Sequence, residues 1–212
     1  MAEISERDLK AHWDAAYARR APEKLGWYEA EPIPSLQLIE RSGLDRDARI
    51  LIAGAGATTL VDALLERGYR NIIANDISST ALQRLKERLG ARAEDIHWVE
   101  DDLTRPQTLP ALEPVDLWHD RAVLHFFTEA EDRRTYFGLL RRLVRPGGFV
   151  VLAAFNLQGA ERCSGLPVHR YDAPMLAEAL GAEFRLLESF DHVHIMPSGE
   201  ERPYVYTLFE RV

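Results

Sequence analysis

Arg49-Ile-Leu-Ile-Ala-Gly-Ala-Gly-Ala-Thr58 decides the fold: an apolar run, then Gly54 and Gly56 one residue apart, then the amphipathic stretch Leu60-Val-Asp-Ala-Leu-Leu65. The order reads as a buried strand, a tight turn and a helix. Glycine in that turn lets the main chain pass close to a ligand where a Cβ would clash, and the start of the following helix presents unpaired N–H groups to it. Asp76 stands twenty residues after Gly56, at the tip of the next apolar run, Asn71-Ile-Ile-Ala-Asn-Asp76. An acid at that distance is placed to accept hydrogen bonds from a ribose diol. Turn and acid together predict a cofactor that carries a nucleoside.

Outward from this stretch, short apolar runs alternate with amphipathic ones. Strands are expected over 49–53, 71–75, 96–100, 115–119 and 149–155. The helices between them carry Leu60, Val61, Leu64 and Leu65, then Leu82, Leu85 and Leu89, then Phe137, Leu140 and Val144 on their apolar faces. Strand and helix in alternation predict a parallel sheet covered on both sides. Pro146-Gly147-Gly148 reads as the stop and turn into the fifth strand. Residues 156–170 are aperiodic and longer than an ordinary connection, which favours a functional loop. Asp172 then caps a helix with Pro174 in its first turn and Gly181 beyond its end. Two strand-prone runs, 183–196 and 203–209, joined by Pro197-Ser-Gly199, close the chain as a hairpin.

Before the glycine turn, Leu9, Trp13, Ala16 and Tyr17 at three- and four-residue spacings follow a Ser5 cap, with Asp8 at the capping-box position, and predict an amphipathic helix with an aromatic face. Residues 21–34 hold Pro22, Gly26, Pro32 and Pro34 around Trp27 and Tyr28, an irregular segment leading to a short helix that ends near Gly43.

A chain of 212 residues is long enough for one well-buried core and short for two. One domain over 1–212 is expected, with 1–43 as a helical and aromatic cover, 44–155 as the cofactor-binding core, and 156–212 as substrate loop, helix and closing hairpin. No apolar run approaches the roughly 18 residues of a membrane span, and the N-terminus lacks a signal peptide's apolar stretch. A soluble, cytoplasmic protein is expected. Cys163 is the sole cysteine, so an intrachain disulfide and a cysteine-based metal cluster are excluded, and no metal is expected. A formal charge of −8 argues against a nucleic-acid partner.

From residue 49 onward the element order resembles the class I S-adenosylmethionine-dependent methyltransferases. Residues 50–58 are similar to that family's first motif and Asp76 to its ribose-binding acid. Glu100-Asp-Asp-Leu103 is similar to its adenine-flanking segment, Val115-Asp-Leu-Trp-His-Asp120 to its fourth motif, and Arg145-Pro-Gly-Gly148 to its turn before strand five. Ile52 stands where the family usually has an acid, and Thr58 where it commonly has a small residue such as glycine; Asp120 or the Thr58 and Thr59 hydroxyls are candidates to compensate. Residues 118–127 are loosely similar to the segment after strand four in methyltransferases that modify protein lysines. The resemblance implies a doubly wound, Rossmann-like α/β fold: a seven-stranded sheet, mostly parallel, with a C-terminal antiparallel hairpin and helices on both faces.

It also implies S-adenosylmethionine as cofactor, S-adenosylhomocysteine as product, and transfer by in-line displacement to a small molecule or a protein side chain. Gly54, Ala55, Gly56, Thr58, Asp76, Ile77, Asp101, Asp102, Leu103 and His119 are the expected cofactor residues. Trp13, Tyr17, Trp27, Tyr28, Arg121, Arg162 and Cys163 are the expected substrate residues. If the acceptor arrives protonated, His119, Asp120 and His125 are the nearest bases; an already ionised thiolate or selenolate needs none. Two rivals stand beside this reading: an NAD(P)-dependent oxidoreductase using the same glycine turn, and a non-catalytic cofactor-binding module.

Overall fold

The computed structural model describes residues 8–212; the expected Ser5 cap lies outside them. Helices α1 (Asp8–Arg19) and α2 (Ile33–Arg41) precede the alternating core: β1 (Arg49–Ala53), α3 (Leu60–Glu66), β2 (Asn71–Asp76), α4 (Ser79–Leu89), β3 (Ile96–Glu100), β4 (Val115–Arg121), α5 (Ala130–Leu143) and β5 (Val144–Phe155). A two-residue hairpin, β6 (Arg162–Cys163) and β7 (Leu166–Pro167), is followed by α6 (Ala173–Leu180) and the long antiparallel pair β8 (Phe184–Ile195) and β9 (Glu201–Arg211).

Seven strands form one sheet in the order β3-β2-β1-β4-β5-β9-β8. The first five run parallel, and β9 lies antiparallel between β5 and β8. Successive side chains on a strand point to opposite faces. Leu51 and Ala53 accordingly join a core with Trp118, Val150 and residues of α5 and α6, while Ile50 and Ile52 join a second core with residues of α2, α3 and α4. This is the doubly wound arrangement the alternation predicts. Strands β1, β2 and β3 run to one side of the sheet, and β4 returns beside β1 before β5 follows on the other side. The carboxyl ends of β1 and β4 therefore flank the point where the winding reverses, the usual ligand crevice of such sheets.

Two expectations change. Strand five starts at Val144, and the Arg145-Pro-Gly-Gly148 turn is an irregularity inside it: Val115 pairs with Val144 and Leu117 with Phe149, so four residues loop out against one. Gly147, at φ +72°, permits that loop. Residues 156–170 also hold the small β6–β7 hairpin, turned at Ser164 and Gly165, both at positive φ; strands of two residues are too short to leave a periodic signal. The closing hairpin, the Asp172 cap and the Gly181 stop fall where the sequence puts them, with Asp172 accepting from Met175 N at 2.8 Å.

Candidate functional site

The glycine turn leaves β1 at Ala53. Gly54 and Gly56 lie at φ +65° and +52°, a region that costs a residue with a Cβ about 1–2 kcal/mol. A Cβ on Gly54 would collide with Val123, and one on Gly56 with the Tyr17 hydroxyl. The turn is tied to β2: Ala55 N donates to Asn75 O at 2.7 Å, and Gly56 N donates to the Asp76 carboxylate at 2.7 Å. The other Asp76 oxygen accepts from Ser78 N at 2.8 Å. Burial raises the Asp76 carboxyl to about 6 against the lowering effect of these N–H groups. Thr58 turns its hydroxyl to Leu60 N, 3.1 Å away, at the start of α3.

Asp76, Ile77, Asp101, Asp102 and Leu103 line one cavity with Gly54 and Asn75. The two neighbouring acids are not equivalent there. Asp101 accepts from the main-chain N–H groups of Asp102, Gln107, Thr108 and Leu109, so its carboxylate is committed to organising the following turn. Asp102 bonds Thr104 through one oxygen and keeps the other without a hydrogen-bond partner among the described residues. Of the pair, Asp102 is the one with a carboxylate oxygen to offer a ligand.

At the end of β4 the three candidate bases are all buried. His119 shares a 2.9 Å hydrogen bond with Ser35 of α2, and its pKa is lowered to about 3 by burial and by the nearby Arg121 charge. His125 receives Phe155 N on Nδ1 at 3.4 Å, lies among Phe126, Phe155 and Tyr204, and is likewise held near 3. Asp120 accepts from Tyr136 OH at 2.7 Å and from Val123 N and Leu124 N, holding the turn in which Ala122 takes φ +67°. Burial raises its carboxyl to about 6. His119 and Arg121 share a second cavity with Ile52, Gly54, Thr58 and Thr59, whereas Asp120 and His125 line neither.

Arg121 is joined by a residue that sequence reasoning missed. Glu29, from the proline-rich segment after α1, pairs with Arg121 Nε at 3.0 Å, and the two side chains are only 11% and 9% exposed. Arg121 also donates to Tyr206 OH and Trp27 O, both at 2.9 Å, and lies over the Tyr204 ring; its Nη2 has no hydrogen-bond partner among the described residues. Burial raises the Glu29 carboxyl, offset in part by Arg121. Glu29 is the single acid lining the second cavity among the described residues. No motif marks it, because only the tertiary fold brings it 92 positions along the chain to Arg121.

Trp13, Tyr17 and Trp27 pack edge to face and line the first cavity, with Trp27 Nε1 donating to Tyr17 OH at 3.2 Å. Tyr28 lines the second cavity beside Glu29. Helix α1 is pinned over α4: Asp14 accepts from Ser78 Oγ at 2.7 Å and Thr80 N at 3.1 Å, and Lys10 pairs with Glu100 at 2.8 Å. Arg162 and Cys163 belong to a third and larger cleft of about 630 Å³ between α1, the 156–170 loop and the tip of the β8–β9 hairpin; His12 lines it too. Trp27 and Cys163 line both this cleft and the first cavity. Burial raises the Cys163 thiol, which stays protonated.

Residues 50–148 match a methyltransferase domain model. That stretch is a methyltransferase domain. Over 166 residues it is 25% identical to the EEF1A lysine methyltransferase 2 of Danio rerio, covering 72% of this chain and 70% of that protein. Over 96 residues it is 26% identical to the eEF1A lysine and N-terminal methyltransferase of Mus musculus, covering 44% of this chain and 13% of that protein. The chain thus spans a small part of that longer relative. The fold is shared with the 1,6-didemethyltoxoflavin-N1-methyltransferase of Burkholderia thailandensis, crystallised with bound 1,6-didemethyltoxoflavin and S-adenosylhomocysteine: TM-score 0.68, 21% identity, 100% of this chain and 92% of that one. These matches support the methyltransferase and lend no support to the dehydrogenase. Among the described residues no helix is long and apolar enough to cross a membrane.

In the methyltransferase domain, Gly54, Gly56 and Asp76 sit at the reversal of the sheet, and Gly54 lines both cavities that meet there. The cavities also share Tyr17, Trp27 and Arg121, so they lie on either side of these residues at the reversal of the sheet.

Proposed function

We propose that the whole chain is a methyltransferase that binds S-adenosylmethionine across the two neighbouring cavities and passes its methyl group to an acceptor in the adjoining cleft. The observation carrying this reading is the cradle formed by Gly54, Gly56 and Asp76, two glycines that admit no Cβ opposite a buried carboxylate. A ribose diol on that carboxylate and a flat base beside Asp102 and Leu103 fit the first cavity. The methionyl end is a zwitterion, and the second cavity offers it a buried ion pair: Glu29 for the ammonium, and the free Nη2 of Arg121 for the carboxylate. In this reading Glu29 takes the part of the acid that Ile52 does not supply, in preference to Asp120 or the Thr58 and Thr59 hydroxyls.

The bound cofactor supplies an electrophilic methyl on a sulfonium. Everything else falls to alignment and exclusion of water, worth about 7–11 kcal/mol in well-oriented cases. Trp13, Tyr17 and Trp27 close the cofactor side, and Trp27 with Cys163 stands where cofactor and acceptor spaces adjoin. His119, His125 and Asp120 act as supports: the histidines are neutral, and the carboxylate is spent on Tyr136 and two N–H groups. Transfer then needs an acceptor that arrives as its own nucleophile. The reading also treats the chain as one domain, with the segment before Gly43 as cover, and sets it in the cytoplasm, where an unpaired thiol such as Cys163 is at home.

Calorimetry with S-adenosylmethionine, S-adenosylhomocysteine and NADH tests the assignment. Binding of both sulfur compounds with no response to NADH is expected; tight NADH binding without them would reverse it.

A further inference from the structure

The large cleft beside the cofactor cavities has a charge opposite to that of the chain. Against a formal net charge of −8, it is lined by Arg19, Arg20, Arg162 and Arg202 and by no carboxylate side chain among the described residues. Arg19 and Arg20, both exposed on the last turn and end of α1, have no side-chain partner among the described residues. The Arg162 guanidinium donates to Gly165 O. Arg202 pairs with Glu200 at 3.0 Å, an acid that is 61% exposed. Four arginines line one open space, and only one has an acidic partner among the described residues. The rest of the wall is mostly apolar and aromatic, with His12 and Ser164 as its neutral polar members and Trp27 at its junction with the cofactor side. Its 630 Å³ lies within the range of small-ligand sites.

We infer that the acceptor of this methyltransferase is a small molecule with an anionic group, a carboxylate or a phosphate, set apart from the atom that receives the methyl group and held by the arginines of this cleft. The inference rests on the methyltransferase reading and names its substrate class. Guanidinium forks match carboxylate and phosphate oxygens, and such contacts are charge-assisted. The same charges oppose a lysine side chain, which would bring an ammonium into a cationic cleft. That cationic lining separates this protein from its lysine-methylating relatives on electrostatic grounds.

Isosteric probes test it on the full chain saturated with S-adenosylhomocysteine: benzoate, phenyl phosphate, benzamide, benzylamine and a short oligoglutamate peptide, each titrated by calorimetry. Benzoate or phenyl phosphate should bind roughly tenfold more tightly than benzamide or benzylamine, and the stronger of the two anions tells carboxylate from phosphate. The preference should fall to near parity in Arg19→Gln/Arg20→Gln, whose exposed positions leave folding intact, and in Arg162→Gln/Arg202→Gln. It should persist in Arg185→Gln, an arginine on the far edge strand. Equal binding of the neutral or cationic probe, no measurable binding of either small anion, binding of the oligoglutamate alone, or an anion preference unchanged in both double variants would each overturn it. Titrating S-adenosylhomocysteine first keeps the two claims apart. Loss of that binding with anion preference retained in the free chain would refute the methyltransferase reading, not the charge selectivity of the cleft.

Discussion

The main-chain N–H of Gly56 donates to the carboxylate of Asp76 at 2.7 Å, so the turn after β1 and the tip of β2 are one unit. The second Asp76 oxygen is held by Ser78 N at 2.8 Å. The acid is thus fixed in place before any ligand arrives, and its burial raises the pKa to about 6.

Replacing Asp76 with Ala should weaken S-adenosylhomocysteine binding by about 1–3 kcal/mol, because the ribose hydroxyls lose a charged acceptor. The ionised carboxylate is the better acceptor, so wild-type affinity should fall as pH drops through about 6 and the Asp76→Ala variant should lack that step. Calorimetry across this range decides it; pH-independent wild-type affinity would remove Asp76 from the ribose.

Gly54→Ala should abolish cofactor binding at concentrations that saturate the wild type. Its Cβ meets Val123, and its φ of +65° is unfavourable for alanine by about 1–2 kcal/mol. Retained affinity in a folded variant, by the same titration, would contradict the cradle.

The Cε1–H resonances of His119 and His125 should not titrate between about pH 5 and 8, since burial and the Arg121 charge hold both pKa values near 3. Histidine NMR needs no acceptor to test this. A midpoint near neutrality for either ring would restore it as a general base.

Asp120 makes a signed prediction. Its folded pKa of about 6 lies above the ordinary 3.8, so its contribution to stability is full below the unfolded value and is lost as pH rises through about 6. Relative to wild type, Asp120→Asn should therefore gain in stability as pH rises across that window. Asp120→Ala should lose about 2–4 kcal/mol at neutral pH by leaving Tyr136 OH and two N–H groups without their acceptor. Urea melts at several pH values measure both.

Glu29→Gln should cost about 3 kcal/mol of stability, because it leaves the buried Arg121 charge without its counter-ion. Cofactor affinity should fall with it. A variant as stable as wild type with unchanged titration would remove Glu29 from the methionyl end.

Period-two and period-3.6 apolar patterns, together with the glycines and the acid at Asp76, were enough to specify the doubly wound sheet, the cradle and the closing hairpin, because strand, turn and helix are local consequences of residue type and spacing. The inner irregularity of β5 and the β6–β7 hairpin were not legible, since a four-residue bulge and two-residue strands carry no period. The same limit applies to the site. Asp101 and Asp102 are adjacent in sequence and alike in chemistry, yet only the fold turns one toward the 107–109 main chain and leaves the other an oxygen for a ligand. The burial of His119 and His125, the Glu29–Arg121 pair and the gathering of Arg19, Arg20, Arg162 and Arg202 around one cleft join residues far apart in the chain. Protonation and charge complementarity depend on solvent exclusion and on distance through space, which are properties of the packed structure and not of sequence spacing.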